Sequence, residues 1–438
     1  MSRSRSASPP VEYSLLLTAT LCLLAFGVVM VFSASSTTSL LGESGDGAEY
    51  LKRTLLFGAL GLIAMRILSV RGLRAARGLT PVLLAVSLVL LVAVLAPGVG
   101  MEANGAQRWI AAGSLQVQPS ELTKLALILY GAHLIATRPR IVRDIRSMLP
   151  YLIVVGLASG LIVIEPDLGT ALVAAFAVAA LLLVGGAKPR HLLFIAIAVC
   201  ALAAIAIAME PYRQARLTGF LDPGADASGA GFQGTQATIA LGSGGVLGVG
   251  LGESVQKAFY LPEAHTDMIA AVIGEELGLL GIAVLVGLFA LFGYAGFRTA
   301  QRARDRYCKL LAAGLTSLVL VQATINLFAV MGLAPLTGVP LPFVSYGNSS
   351  LFVMLASVGL ILNVARGRGV AASSGRGTRS SRNAKLRVVE GGRKTRTRRS
   401  SRNQTRRSSR SGAKSRHSGG RNRRARRAGA RGRRRAAG

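Results

Sequence analysis

Asp267 is the residue in this chain whose type and placement best suit proton chemistry. It stands with His265, Glu275 and Glu276 in GLGESVQKAFYLPEAHTDMIAAVIGEELGLLG, from Gly250 to Gly281, where a polar loop turns into an apolar run. Ionisable groups at a membrane boundary are costly enough to point to function. On a helix beginning near Asp267, Ala271, Gly274 and Gly278 fall within roughly 40° of it and Glu275 about 80° away. The carboxylate would then look along a groove of small residues, which admits either a neighbouring helix or a ligand. An Asp just ahead of a helix also caps free N–H groups and complements the dipole. Spacing alone leaves base and cap open.

The elements that must position these residues follow from composition. With 438 residues, 51% of them hydrophobic, and a mean hydropathy of +0.49, the chain is too apolar for a soluble globular protein. The formal charge of +32 is concentrated at the end, where 25 basic residues and one acid, Glu390, lie beyond Gly369. Apolar stretches of roughly 16 to 21 residues predict about ten transmembrane helices. They begin near Tyr13, Thr54, Leu79, Ser120, Met148, Leu168, His191, Met268, Leu310 and Ser349. Tyr13 to Phe32 is long enough to span, which argues against a cleaved signal. The loops after spans two, four, six and eight are rich in Arg and Lys, placing them in the cytoplasm. Arg3 and Arg5 put the N-terminus there, and ten spans return the C-terminus to the same side.

The expected class is therefore an all-α polytopic membrane protein with both termini cytoplasmic and a large extracellular loop between spans seven and eight. That loop, Glu210 to Thr266, contains GFQGTQATIALGSGGVLGVG, whose small and apolar residues suit a re-entrant or cavity-lining segment. A straight helix from Asp267 to Phe297 would measure roughly 45 Å against a hydrocarbon core of about 30 Å, so its first turns should stand in an outer vestibule. Residues 1–12 form a cytoplasmic segment, 13–366 the membrane domain and 367–438 a basic tail with little to bury, expected to be disordered. The tail reads as an electrostatic tether to anionic inner-leaflet lipids. It lacks the aromatic interleaving of a nucleic-acid binder, and no specific nucleic acid is expected. Cys22, Cys200 and Cys308 form no disulfide or metal pattern and read as packing residues.

Other outward residues can carry chemistry. Glu121 and Lys124 in QPSELTK share one helix face and can pair, locking helices or presenting Lys124 to an anion. Trp109 in NGAQRW can anchor at the interface or stack on a sugar. Arg108, Arg213, Arg216 and Lys257 are outer cations, solvated or available to phosphate. In Glu165-Pro166-Asp167, Asp167 reads as a cap, and Glu165 is less easily assigned to structure. Ser345, with Pro335, Pro340, Pro342 and Gly338, belongs to a stiff loop expected to shape the cavity. A transfer reaction outside the cell needs a substrate carrying its own activated bond, such as a lipid-linked pyrophosphate. It needs a base, cations for the departing diphosphate and an apolar groove.

Over Tyr13 to Arg366 the chain resembles the SEDS family of bacterial cell-wall polymerases. The resemblance rests on NGAQRWI at 104–110, QPSELTKLAL at 118–127, EPDLGTAL at 165–172, the glycine-rich block ending at HTD and GVPLPFVSYGNSSL at 338–351. Several motifs in family order outweigh any one of them. The wording around GLGESVQK and YLPEAHTD favours the division member, while PLTGVPLPFVSYG also suits the elongation member. Two positions depart from the family pattern: Met268 and Ala270 replace common aromatics, and Asn348 replaces a second glycine.

The resemblance implies a peptidoglycan glycosyltransferase that polymerises lipid II on the outer face of the bacterial cytoplasmic membrane, at the septum during division, with release of undecaprenyl pyrophosphate. It makes Asp267 the catalytic residue and Glu121 and Lys124 cavity residues. Trp109, Arg108, His265 and Glu275 become their neighbours, and Arg213, Glu165 and Ser345 complete the expected substrate-binding set. It implies a class B penicillin-binding transpeptidase (FtsI-like) and other divisome membrane proteins as partners. No organic cofactor is expected, and a divalent cation (Mg or Mn) is compatible with carboxylate and pyrophosphate oxygens. Two other classes fit ten spans: a flippase for the lipid-linked precursor, and a non-catalytic scaffold for the transpeptidase. Lipid transfer without polymer would mark the first, and tolerance of Asp267→Ala the second.

Overall fold

A computed structural model describes residues 10–41, 46–103, 106–112, 115–222, 229, 231–258 and 260–367. The expected N-terminal segment up to Pro9, Asn104, Gly105 and the basic tail beyond Gly367 lie outside the described residues. The helices are α1 (Val11–Leu41), α2 (Glu49–Val94), α3 (Pro119–Thr137), α4 (Ile145–Ile164), α5 (Leu168–Gly185) and α6 (Pro189–Ala208). They continue with α7 (Pro211–Leu221), α8 (Phe232–Ser243), α9 (Ile269–Arg302), α10 (Arg306–Val330) and α11 (Asn348–Ala365). Among the described residues, nine helical stretches are long and apolar enough to cross a membrane, two of them within α2. The tenth expected span falls on α3, whose Glu121, Lys124 and His133 make it less apolar. Most of α3 is nevertheless buried, with α5, α10 and α11 packed on it.

The helical bundle is the expected one, and what differs is a small sheet in one connection. The connection ahead of α3 forms a three-stranded antiparallel sheet: β1 (Gly100–Ala103), β2 (Ala106–Ala112) and β3 (Leu115–Val117), in that order. The cysteines also differ from expectation, since only Cys308 is buried while Cys22 and Cys200 are exposed on α1 and α6.

Although α2 is helical over 46 residues, its contacts show that the chain reverses within it. At its start Tyr50 packs on Tyr346 and His265, and further along Leu68 O accepts a bond from Asn363 near the end of α11. Arg77 then lies over Tyr307 at the start of α10, and Leu91 packs with Ile162 and Ala171 where α4 meets α5. Glu49–Leu73 and Ala75–Val94 are thus two crossings. The bundle has one end carrying Asp267, where α9 and α11 begin. The opposite end carries Arg66, Arg71, Arg77, Arg138, Arg140, Arg143, Arg190 and Arg306.

The straight helix expected after Asp267 is broken. Gly278 sits at φ 62° and ψ −161°, a conformation essentially confined to glycine. The break exposes backbone groups on both sides, which the segment after α8 satisfies. Val249 N and Gly250 N donate to Glu275 O and Glu276 O at 3.0 Å, while Leu279 N and Leu280 N donate to Gly245 O and Val246 O at 2.9 and 3.2 Å. Unpaired, such groups in an apolar setting would cost several kcal/mol each. Nor do the first turns of α9 stand in a vestibule, because Ile269 to Ile273, Glu275 and Glu276 are buried. The groove of small residues holds protein: a Cβ on Gly274 would lie 2.3 Å from Leu241 Cδ2, and one on Gly244 would lie 1.9 Å from Gly274 O.

Gly278→Ala tests this junction. Its Cβ would stand 2.5 Å from Gly248 N and 2.6 Å from Val246 O, so strain and steric overlap together should cost about 3 kcal/mol. Thermal unfolding of the detergent-purified protein should show a clear drop in Tm. Gly287→Ala, where a Cβ meets nothing within 4 Å, should show none.

Candidate active site

Asp267 lies just ahead of α9, 8% exposed. Its carboxylate accepts from Thr266 Oγ1 at 3.2 Å, and no side-chain cap bond is made to α9. Burial raises its pKa to about 6 against the lowering influence of Arg216, while nearby Glu263 pushes the same way as burial. A Cβ placed on Gly338 would fall 3.8 Å from Arg216 Nη1 and 3.9 Å from Asp267 Oδ2, so carboxylate and guanidinium face one small space above that glycine. The peptide unit is fixed from behind, where Asn326 Nδ2 donates to Asp267 O at 2.7 Å and to Val339 O at 2.8 Å. His265 packs against Tyr50 and Tyr346, with ring centroids 4.3 and 5.6 Å away, and burial lowers its pKa. The imidazole is therefore part of an aromatic cluster with Tyr50 and Tyr346, two residues ahead of Asp267.

Glu121 and Lys124 form the buried pair that their spacing allows, Nζ to Oε1 at 2.8 Å. Lys124 also donates to Gln322 Oε1 at 2.7 Å, and Gln322 Nε2 donates to Pro340 O at 2.9 Å. Gln322 and Asn326 are successive turns of one face of α10, about 6 Å apart along its axis. Together they hold Val339 and Pro340, so the ion pair reaches the Asp267 loop through α10. Sequence reading missed both amides. Their signal was two amide side chains four apart on one face of a mostly apolar helix. Ser345 Oγ accepts from Leu341 N at 2.8 Å, tightening the loop it was expected to shape.

Most of the remaining expected residues are drawn into structural contacts, Glu165 and Trp109 apart. Arg108 donates to the carbonyls of Glu165 and Pro166, tying the sheet to the turn between α4 and α5. Asp167 caps α5 by accepting from Thr170 N at 2.9 Å. Glu165 is fully buried with neither carboxylate oxygen bonded, and burial together with Asp167 pushes its pKa up to about 8 despite Arg108. Arg213 donates to Ala206 O and Val163 O at 2.9 and 2.7 Å. Glu275 accepts from Ser254 Oγ and from Val255 N at 3.0 Å, anchoring the loop. Lys257 is no solvated cation: it is buried 2.8 Å from Glu276 Oε1, which also accepts from Ser33 of α1. Trp109 lies in β2 opposite Met101, partly exposed. Among the described residues no three of His, Cys, Asp and Glu converge as metal ligands.

Fold and site together define a multi-pass membrane protein with a buried, elevated-pKa carboxylate facing a cation at one end of the bundle. The chain belongs to the cell cycle protein family that groups FtsW, RodA and SpoVE, which matches residues 13–369. A probable peptidoglycan glycosyltransferase FtsW from Trichlorobacter lovleyi is 40% identical over 367 residues, covering 83% of this chain and 96% of the relative. Stage V sporulation protein E of Bacillus subtilis is 40% identical over 353 residues, 80% and 96% of the two chains. Among solved structures, a chain from work on the structural coordination of polymerization and crosslinking by a peptidoglycan synthase complex is 34% identical. It superposes with a TM-score of 0.66 over 81% of this chain and 98% of its own. The rod shape determining protein RodA of Thermus thermophilus is 31% identical, with a TM-score of 0.60 over 81% and 96%.

Lys124→Met should leave Glu121 charged and unpaired in the core, at a cost of about 3 kcal/mol or more. Adding Glu121→Gln should restore part of that stability. Thermal unfolding of the two variants beside wild type measures the difference.

Proposed function

We propose that the chain is a peptidoglycan glycosyltransferase of cell division that polymerises lipid II, with Asp267 as its general base. The observation that carries this reading is the Asp267 carboxylate, buried and raised to about 6, sharing the space above Gly338 with Arg216. A base with a pKa near neutrality is deprotonated when needed yet still accepts a proton well. Asp267 takes the proton of the acceptor sugar's 4-hydroxyl as that oxygen bonds to the donor's anomeric carbon. The bond from that carbon to the diphosphate breaks, inverting the centre, and undecaprenyl pyrophosphate leaves. Arg216 meets the developing charge, a contribution often worth several kcal/mol.

In this reading Glu121, Lys124 and Ser345 hold the cavity wall through Val339 and Pro340, His265 lines it and Trp109 stacks on a sugar. Arg108, Glu165, Arg213 and Glu275 support the frame. A hard divalent cation would enter with the substrate's diphosphate rather than reside in the protein. The arginine end faces the cytoplasm and the Asp267 end faces outward. We place the protein at the septum beside a class B penicillin-binding transpeptidase and other divisome membrane proteins. Support for such a partner comes from the similar chain in the peptidoglycan synthase complex.

The test is lipid II polymerisation by the purified chain with its transpeptidase, at matched thermal stability. Asp267→Ala should reduce polymer at least about 100-fold; a wild-type rate would remove Asp267 from the reaction. Activity of the unmodified protein should rise with pH through about 6, falling tenfold per unit below it as the base becomes protonated. Arg216 holds that pKa down, so Arg216→Gln should move the acid limb to higher pH. A limb that stays in place would separate Arg216 from the base.

A further inference from the structure

At the arginine end, a cleft of about 710 Å³ lies between the C-terminal turns of α3 and α5 and the start of α10. Its lining is Arg138, Pro139, Arg140, Val142, Arg143, Gly185, Gly186 and Arg306, four guanidiniums and no acid. The floor is built. Val142 is 2% exposed, and a Cβ on Gly185 would lie 3.5 Å from Val142 Cγ1, so the short 3-10 turn Pro139–Arg143 is pressed onto α5. Arg306 Nη2 donates to Gly185 O at 3.3 Å, bringing the α10 side of the cleft against the end of α5. The nearest acids in sequence are engaged elsewhere: Asp144 accepts from Ser147 N and Oγ, and Asp305 faces Arg77 at 3.8 Å. Arg138, Arg140 and Arg143 are left exposed around the opening.

We propose that this cleft binds the headgroup phosphate of an anionic glycerophospholipid of the leaflet at the arginine end. Charge selects an anion, and the residue type narrows it: all four cations are Arg, whose planar fork matches phosphate oxygens bidentately. Position selects a lipid. Leu183 and Val184, immediately before Gly185, are 58% and 37% exposed, and Leu149 at the start of α4 is 52% exposed. Apolar surface for acyl chains therefore begins where the guanidiniums end, as in basic pockets between membrane helices that hold lipid headgroups. The site belongs to the folded domain and is separate from any attraction exerted by the basic tail.

A local readout distinguishes the two. The full chain is reconstituted in nanodiscs of phosphatidylcholine alone or with 30% phosphatidylglycerol, and backbone hydrogen exchange is followed over residues 138–143 and 185–187. Phosphatidylglycerol should slow exchange in these segments several-fold, and Arg140→Gln/Arg143→Gln should abolish the slowing. Arg146→Gln/Arg190→Gln, an equal loss of exposed charge at the same end, should leave it intact. Equal exchange in both lipids, or equal loss in both double variants, would overturn the site. Slowing by inorganic phosphate in phosphatidylcholine discs would reassign it to a free anion. Slowing only by an added poly-glutamate peptide would reassign it to an acidic protein segment.

Discussion

One amide nitrogen holds the Asp267 region in place. Asn326 donates from Nδ2 to Asp267 O and to Val339 O, so the residue ahead of α9 and the loop ahead of α11 are fixed to α10 together. In an apolar bundle these carbonyls have no water to turn to, and leaving either unpaired would cost about 1–3 kcal/mol. Gln322 repeats the arrangement one turn along by carrying Pro340 O, and Lys124 in turn holds Gln322. The geometry above Gly338 is therefore set from inside the bundle, by α3 and α10, rather than by the exposed loop that bears Asp267.

The same rule explains why so many of the expected site residues are turned to backbone groups. Each outward turn must satisfy its own backbone, and Arg108, Arg213 and Glu275 are used for that. Glu276 and Lys257 neutralise one another against Ser33 and so join α1 to the loop after α8. Arg216 likewise donates to Leu336 O at 3.2 Å, yet it and Asp267 also face each other across the space above Gly338. Burial then tunes the carboxylate, and the cation limits how far it rises.

The spans were legible because apolar length is written plainly in the chain, and all ten fell on helical stretches, α3 by position more than by hydropathy. Asp267 was legible as a carboxylate at a polar-to-apolar boundary, and Asp167 as a cap. What stayed hidden depends on partners distant in sequence. Gln322 and Asn326 look like tolerated polar residues until Pro340 and Asp267 are seen beside them. The small sheet was missed because its strands are short and lie in a segment read as a connection. The break at Gly278 was hidden because glycine is common in membrane helices, and only the backbone of residues 245–250 makes it necessary.

That break also divides labour along α9. The 24 residues from Leu279 to Arg302 measure about 36 Å, enough to traverse the hydrocarbon core unaided. The turns carrying Glu275 and Glu276, bonded instead to the loop, have no spanning duty. Because residues 245–250 bond to α9 on both sides of Gly278, the break is a fixed joint, and the turns that follow Asp267 keep their place on that loop while the long segment does the crossing.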